Sequence, residues 1–133
     1  MAAAQHPVEI ILARSLMSNL TTPAFLVDVA GRLVFFNDAA GELLGLRFEE
    51  AGPLPVAEWG TMFVPRDEAG APIPVPELAL SITLTTGQPA HARMWLHTAA
   101  GEERHIEAHA LPIVGAGGMR GALAVFWDVA EPG

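Results

Sequence analysis

From Ala90 to Val129 the chain alternates apolar and polar residues almost without interruption, broken only at Ala99–Glu102 and at the glycine run 115–118. Strand side chains point to opposite faces with a period of two. The pattern therefore predicts three long strands, Ala90–Thr98, Arg104–Val114 and Arg120–Val129. Short connections between them make adjacent antiparallel strands the simplest arrangement. A chain of 133 residues fits one domain with a modest core, so everything upstream has to fold against this meander.

The alternation sorts the strands into two faces of different chemistry. One presents Ala92, Met94, Leu96, Ile106, Ala108, Ala110, Ala122, Ala124 and Phe126, and five of these nine are alanines. Side chains this small either let helices approach closely or leave a cavity. Met94, Leu96, Ile106, Ala108, Ala110, Ala124 and Phe126, with Leu80 and Leu84 from a helix above them, are the candidate pocket residues. The opposite face presents Trp95, His97, His109, Leu111, Leu123, Val125 and Trp127. A face with two tryptophans and three aliphatics calls for a cover, which marks an interaction surface.

The upstream segments supply the helices and a hairpin. Pro7–Leu20 carries Val8, Ile11, Leu12, Ser15 and Leu16 near one side of a 3.6-residue period, predicting an amphipathic helix. Ile10, Met17 and Leu20 widen its apolar arc beyond one sheet contact, so this helix is expected to cover the outer sheet face or to meet a second copy. After Pro23, residues 24–29 and 32–36 read as a hairpin turning at Asp28–Arg32, with Gly31 free to take positive φ. Asn37 or Asp38 caps a short helix Ala39–Leu44 that Gly45 ends. The proline-rich stretch from Phe48 to Pro76 has no period, apart from a helical turn at Glu58–Phe63. Pro76–Thr86 is a helix with Gly87 at its C-cap, facing inward through Leu78, Ile82 and Thr85 or through Leu80 and Leu84. The division is 1–22 as the N-terminal helix, 23–130 as the α+β domain and 131–133 as the start of a linker or tail.

Little in the chain is suited to catalysis. GAGG at 115–118 lacks the order of a phosphate loop and reads as a turn. Ser15, Ser18 and Ser81 lie on predicted helices rather than at a strained strand-to-helix elbow. The acidic pairs Glu49-Glu50 and Glu102-Glu103 lie in turns. His91 and His97 share one strand face, as do His105 and His109, but their spacing along a strand spans about 13–20 Å. A metal would need cross-strand partners such as His97 and His105, and the reading adopted is surface histidines with no metal. Cysteine is absent, which removes disulfides and thiolate chemistry. Seven arginines, scattered and opposed by fifteen carboxylates for a net charge of −8, offer no stripe for nucleic acid or an anionic membrane. No run nears the roughly 18 apolar residues of a membrane span and the N-terminus lacks a basic signal-peptide region, so a cytoplasmic domain is expected.

The stretches 25–45 (FLVDVAGRLVFFNDAAGELLG), 67–89, 93–113 and 121–129 (GALAVFWDV), in this order, resemble a PAS domain, the sensor module of bacterial histidine kinases and other signalling proteins. The Asp-x-x-Gly-Arg turn followed by Asn37 and Leu-Leu-Gly carries much of the likeness. The resemblance implies a five-stranded antiparallel sheet in order 2-1-5-4-3, helices over its inner face, and a small pocket between them. It implies a sensory module, of two-component type, that passes a signal to an effector domain or partner protein; Trp95, Trp127 and the apolar arc of the N-terminal helix add the expectation of a homodimer, and the lack of a catalytic constellation that of a non-catalytic module. Flavin photosensors of this family use a cysteine that is absent here, and haem members place a histidine on the longer helix, where 77–87 has none, although His91 follows. No cofactor is expected, only a small apolar ligand; a ligand-free interaction domain is the alternative, and a flavin redox sensor a lesser one. Asp128 matches the acidic position of the family's closing Asp-Ile-Thr motif and is the expected signal exit, whereas Ala130 departs from its hydroxyl residue. Ile11, Leu12, Leu16, Trp95, Leu111, Leu123, Val125 and Trp127 are the expected dimer or partner surface.

Overall fold

A computed structural model describes residues 8–45, 54–55, 58–59, 63–98, 101–115 and 117–129. The pair Glu49-Glu50, Ala130 and the tail 131–133 lie outside them, as do residues 99–100 of the second predicted turn. Helix α1 (Val8–Met17) leads into β1 (Ala24–Asp28), β2 (Leu33–Phe36) and helix α2 (Asp38–Leu44). A 3-10 turn (Val75–Glu77) and helix α3 (Ala79–Thr86) then precede β3 (Ala90–His97), β4 (Glu103–Gly115) and β5 (Gly118–Asp128). The strands form one antiparallel sheet in the order β2-β1-β5-β4-β3, as the resemblance implies.

Two cores lie on opposite faces of this sheet. The inner one, under α2 and α3, gathers Phe25, Val27, Leu33, Phe36, Met94, Leu96, Ile106, Phe126 and the four alanines 108, 110, 122 and 124. The outer one joins Ile10 and Met17 of α1 to Ala24, Leu26, Val34 and Phe35. β1 and β2 are thus apolar at nearly every position because both of their faces are covered. β3 and β4 alternate because one of theirs is not.

Three turns share one construction. Asp28 Oδ1 accepts the amides of Ala30 and Arg32, both at 3.0 Å, and Gly31 closes the turn at φ 82°. Asp67 Oδ1 accepts those of Ala69 and Ala71, both at 2.9 Å, and Gly70 follows at φ 87°. Thr98 plays the same part between β3 and β4, its hydroxyl accepting the Glu102 amide at 3.2 Å ahead of Gly101 at φ 86°. In each case a short oxygen-bearing side chain stands in for a backbone turn and the glycine supplies a conformation other residues resist.

Asn37 joins the N-terminal elements. Its Oδ1 caps α2 through the Ala40 amide at 3.0 Å and accepts the Ala24 amide at 3.1 Å. Its Nδ2 donates to the carbonyls of Thr22 at 2.8 Å and Met17 at 3.2 Å. One buried amide therefore fixes the end of α1, the start of β1 and the start of α2.

α1 lies over the outer face of its own sheet through Ile10, Met17 and the partly buried Ala13, and the Val8, Ile11, Leu12 and Leu16 stripe faces outward. A narrow contact suffices there because Gly121 removes a side chain beneath Ile10: a Cβ at Gly121 would lie 2.8 Å from Ile10 Cδ1. One expectation is corrected: the helix predicted from Pro76 is a 3-10 turn followed by α3 from Ala79. It buries Ala79, Leu80 and Thr83 and leaves Ile82 and Thr85 exposed.

Candidate functional site

Beneath the first turn of α3 the inner core is incompletely filled. The cavity measures about 50 Å³, floored by Met94, Leu96, Ala108, Ala124 and Phe126 and roofed by Leu78, Ala79 and Leu80. Phe25, Trp59, Phe63 and Pro65 close its sides. The space exceeds the ~10–15 Å³ that a water requires and falls well short of the roughly 300–1,000 Å³ of a drug-sized pocket. Among the described residues the only polar side-chain group on this wall is the Trp59 indole N–H, and it donates to Gly31 O at 2.8 Å. A water inside would forgo hydrogen bonds, so the cavity favours an apolar occupant.

Six of the expected pocket residues meet here: Leu80, Met94, Leu96, Ala108, Ala124 and Phe126. Ile106, Ala110 and Leu84 do not; they pack in the same core away from the void, Leu84 being a helical turn beyond it. Trp59, Phe63 and Pro65 were not anticipated, because the proline-rich stretch that carries them has no periodicity to place them on a face. An aromatic pair three to four residues apart between turns was the available signal. Thr83, a turn along α3 from Ala79, is fully buried with its hydroxyl unpartnered.

The outer face divides between a covered and an open part. Leu123 and Val125 pack against the α1 core, while Leu111 and Trp127 stay 47% and 41% exposed. On the open part His91, His109 and Trp127 stack across β3, β4 and β5, with centroids 5.3 and 4.7 Å apart. Trp95 stacks flat on His105 at 4.4 Å. Three imidazoles also touch carboxylates: His97 with Glu103 at 3.1 Å, His105 with Glu68 at 2.5 Å and His109 with Glu107 at 3.2 Å. The His97 contact, and then Arg66, hold the Glu103 carboxyl below its usual range. Even spacing did bring the histidines to one face, but His97 pairs with Glu103 rather than with His105. Among the described residues no three His, Asp or Glu side chains converge as a metal site.

At the end of β5, Asp128 receives both arms of the Arg104 guanidinium, at 3.0 and 2.7 Å, which raises Arg104 above its usual value. The Val129 amide continues the pairing to His105 O at 2.9 Å. The chain's exit is thus tied to β4 by side chain and backbone.

Among the described residues the wall offers a flavin's ring edge no free donor or acceptor, and without a cysteine the chain cannot form a flavin–thiol adduct. Among the described residues that wall carries no histidine to serve as an axial haem ligand.

The strand order, the helices over the inner face and the small cavity between them define a PAS-fold domain. The PAS fold family model matches residues 12–52. Among solved structures, the chain is similar to the PAS domain of BvgS from Bordetella pertussis, with 17% identity, coverage of 92% of this chain and 87% of that one, and a TM-score of 0.63. It is similar to the Rhodobacter sphaeroides LOV protein at 14% identity, covering 94% and 70%, with a TM-score of 0.70. The PAS domain of nitrogen regulation protein NR(II) from Vibrio parahaemolyticus matches at 16% identity, covering 89% and 98%, with a TM-score of 0.62. No curated protein sequence matches the chain. Among the described residues no helix is long and apolar enough to cross a membrane.

Proposed function

We propose that this chain is a non-catalytic cytoplasmic sensory module whose cavity takes a small apolar molecule and whose α1 pairs with a second copy. The cavity over the alanine floor carries the reading, because it is a partly open apolar space at the junction of sheet and helices. Its size suits a molecule of a few heavy atoms. Xenon is the direct probe: methyl NMR under xenon pressure should shift Ala108, Ala124 and Met94 and leave Ala13 unmoved. Unshifted floor methyls would remove the ligand and favour the second reading, a ligand-free interaction domain.

That second reading rests on the outward stripe of α1. Val8, Ile11, Leu12 and Leu16 are 60%, 56%, 64% and 63% exposed, a run of aliphatics at helical spacing with no cover among the described residues. A second α1 packed on this stripe would bury it, and movement of α1 would reach β5 through Ile10, Leu123 and Val125. Asp128 then passes the change to an effector domain or partner protein. Sedimentation should give a dimer that Leu12→Glu with Leu16→Glu converts to monomer; a monomer at high concentration in the parent chain refutes the pairing.

A further inference from the structure

One stretch, residues 63–71, runs from the cavity wall round the β3 edge to the outer face. Phe63 and Pro65 line the cavity. At the edge Phe63 O accepts the His97 amide at 2.8 Å, and Arg66 and Trp95 exchange backbone hydrogen bonds at 3.0 and 2.8 Å. Beyond the edge its side chains reach histidines. Glu68 touches His105 Nε2 at 2.5 Å, and Arg66 pairs with Glu103, whose other oxygen lies 3.1 Å from His97 Nδ1. His105 is held flat on Trp95 with its side chain 18% exposed.

Between the two wall residues stands Val64 at φ 47°. A β-branched residue resists the left-handed region, and such a conformation persists only where its surroundings hold it. The holding contacts here include the edge pairing, the Ile73 amide donating to Pro65 O at 2.9 Å, the burial of Phe63, and the outer-face contacts of Arg66 with Glu103 and of Glu68 with His105.

We propose that residues 63–71 form a proton-operated clasp on the cavity: imidazolium at His105 and His97 fastens Glu68 and the Glu103–Arg66 pair to the outer face, keeping Phe63 and Pro65 in the wall, and neutral imidazole slackens it. Its purpose rests on the cavity being a ligand site; its mechanics do not. The charged and titratable groups around the two imidazoles are Glu68 and Arg66 from the clasp, Arg93 from β3, and Glu103 and Glu107 from β4, while β5 turns Trp127 and no charge to this face. Histidine changes charge between about pH 5 and 8, and glutamate titrates near 4.3. The clasp is therefore tighter near pH 5.5, at the acid end of the histidine range and above that of glutamate, than at pH 8.

Amide hydrogen exchange on the full chain, corrected for the intrinsic rate, reads the clasp directly. Protection of Arg66, Trp95 and His97 should fall at least about fivefold from pH 5.5 to pH 8, while Leu26 and Val27 in the sheet centre stay constant. Glu68→Gln and His105→Gln should flatten that dependence. Protection unaltered with pH, or equally pH-dependent in Glu68→Gln, overturns the proposal. Xenon entry, followed at the Ala124 methyl, should be slower at pH 5.5 than at pH 8. A pH-dependent clasp without xenon shifts keeps the clasp and refutes the ligand site, whereas xenon shifts with a pH-invariant clasp do the reverse.

Discussion

Replacing Asn37 tests whether one buried amide holds three elements or merely caps a helix. Asn37→Ala removes four hydrogen bonds of 2.8–3.2 Å and leaves the amides of Ala24 and Ala40 and the carbonyls of Met17 and Thr22 without this partner. At about 1 kcal/mol per bond, the loss is about 4 kcal/mol, against ~0.5–2 kcal/mol for a helix cap alone. For a domain whose whole stability is of order 5–15 kcal/mol this is a large fraction. Asn37→Asp separates the two ideas, because Asp caps helices as well as Asn does. It keeps both acceptor contacts but turns a carboxylate towards the carbonyls of Met17 and Thr22. At pH 7 Asn37→Asp should therefore lose at least about 3 kcal/mol. That environment disfavours the charged form and raises the folded-state pKa of the new carboxyl. The deficit should then shrink as pH falls and the protonated group regains a donor. Urea unfolding followed by circular dichroism measures this as a drop in midpoint at constant slope. An Asp variant within about 0.5 kcal/mol of the parent would refute the three-way role and reduce Asn37 to a cap.

Further outcomes follow from the same contacts. Thr83→Val, which removes a buried hydroxyl without a partner, should stabilise the chain by about 1 kcal/mol in the same assay. Gly121→Ala should cost more than about 3 kcal/mol, since its Cβ would meet Val27 O at 2.3 Å and the residue sits at φ 158°. Gly115→Ala should cost less than about 1 kcal/mol, because the nearest obstacle is the Glu9 carboxylate at 2.4 Å, the movable end of a side chain. Trp59→Phe should lose about 1 kcal/mol through the bond to Gly31 O and leave the fold intact by circular dichroism. Because the folded Glu103 carboxyl lies below its ordinary range, its contribution is complete above the ordinary carboxylate pKa and is lost as pH falls through the lower folded value. The clasp amides should accordingly lose protection again in that acid range.

The sheet was legible in the chain because strand periodicity is a local property: the alanine face and the tryptophan face fall on opposite sides as the alternation requires. The cavity was legible only in its floor. Leu80 was found from helical spacing, but Trp59 and Phe63 come from a stretch where prolines erase any period, and tertiary packing alone brings them to the wall. α1 shows a different limit. Its apolar arc was visible, but periodicity cannot say which part of an arc faces the sheet, and the answer depends on Gly121, about 110 residues away in the chain, leaving room for Ile10.

The order β2-β1-β5-β4-β3 has a consequence for how the molecule assembles. The β1–β2 hairpin and the β3–β4–β5 meander can each form from neighbouring sequence, joined by turns that are already shaped. The central seam cannot: Ala24 pairs with Val125, about 100 residues later, so it closes a long loop and is the slow step. During synthesis both cores therefore wait on the last strand to emerge, and a chain truncated before β5 would have two half-sheets with nothing between them. The strand that completes the fold is also the one that leaves it, so the exit at Asp128 is continuous with the seam on which both cores depend.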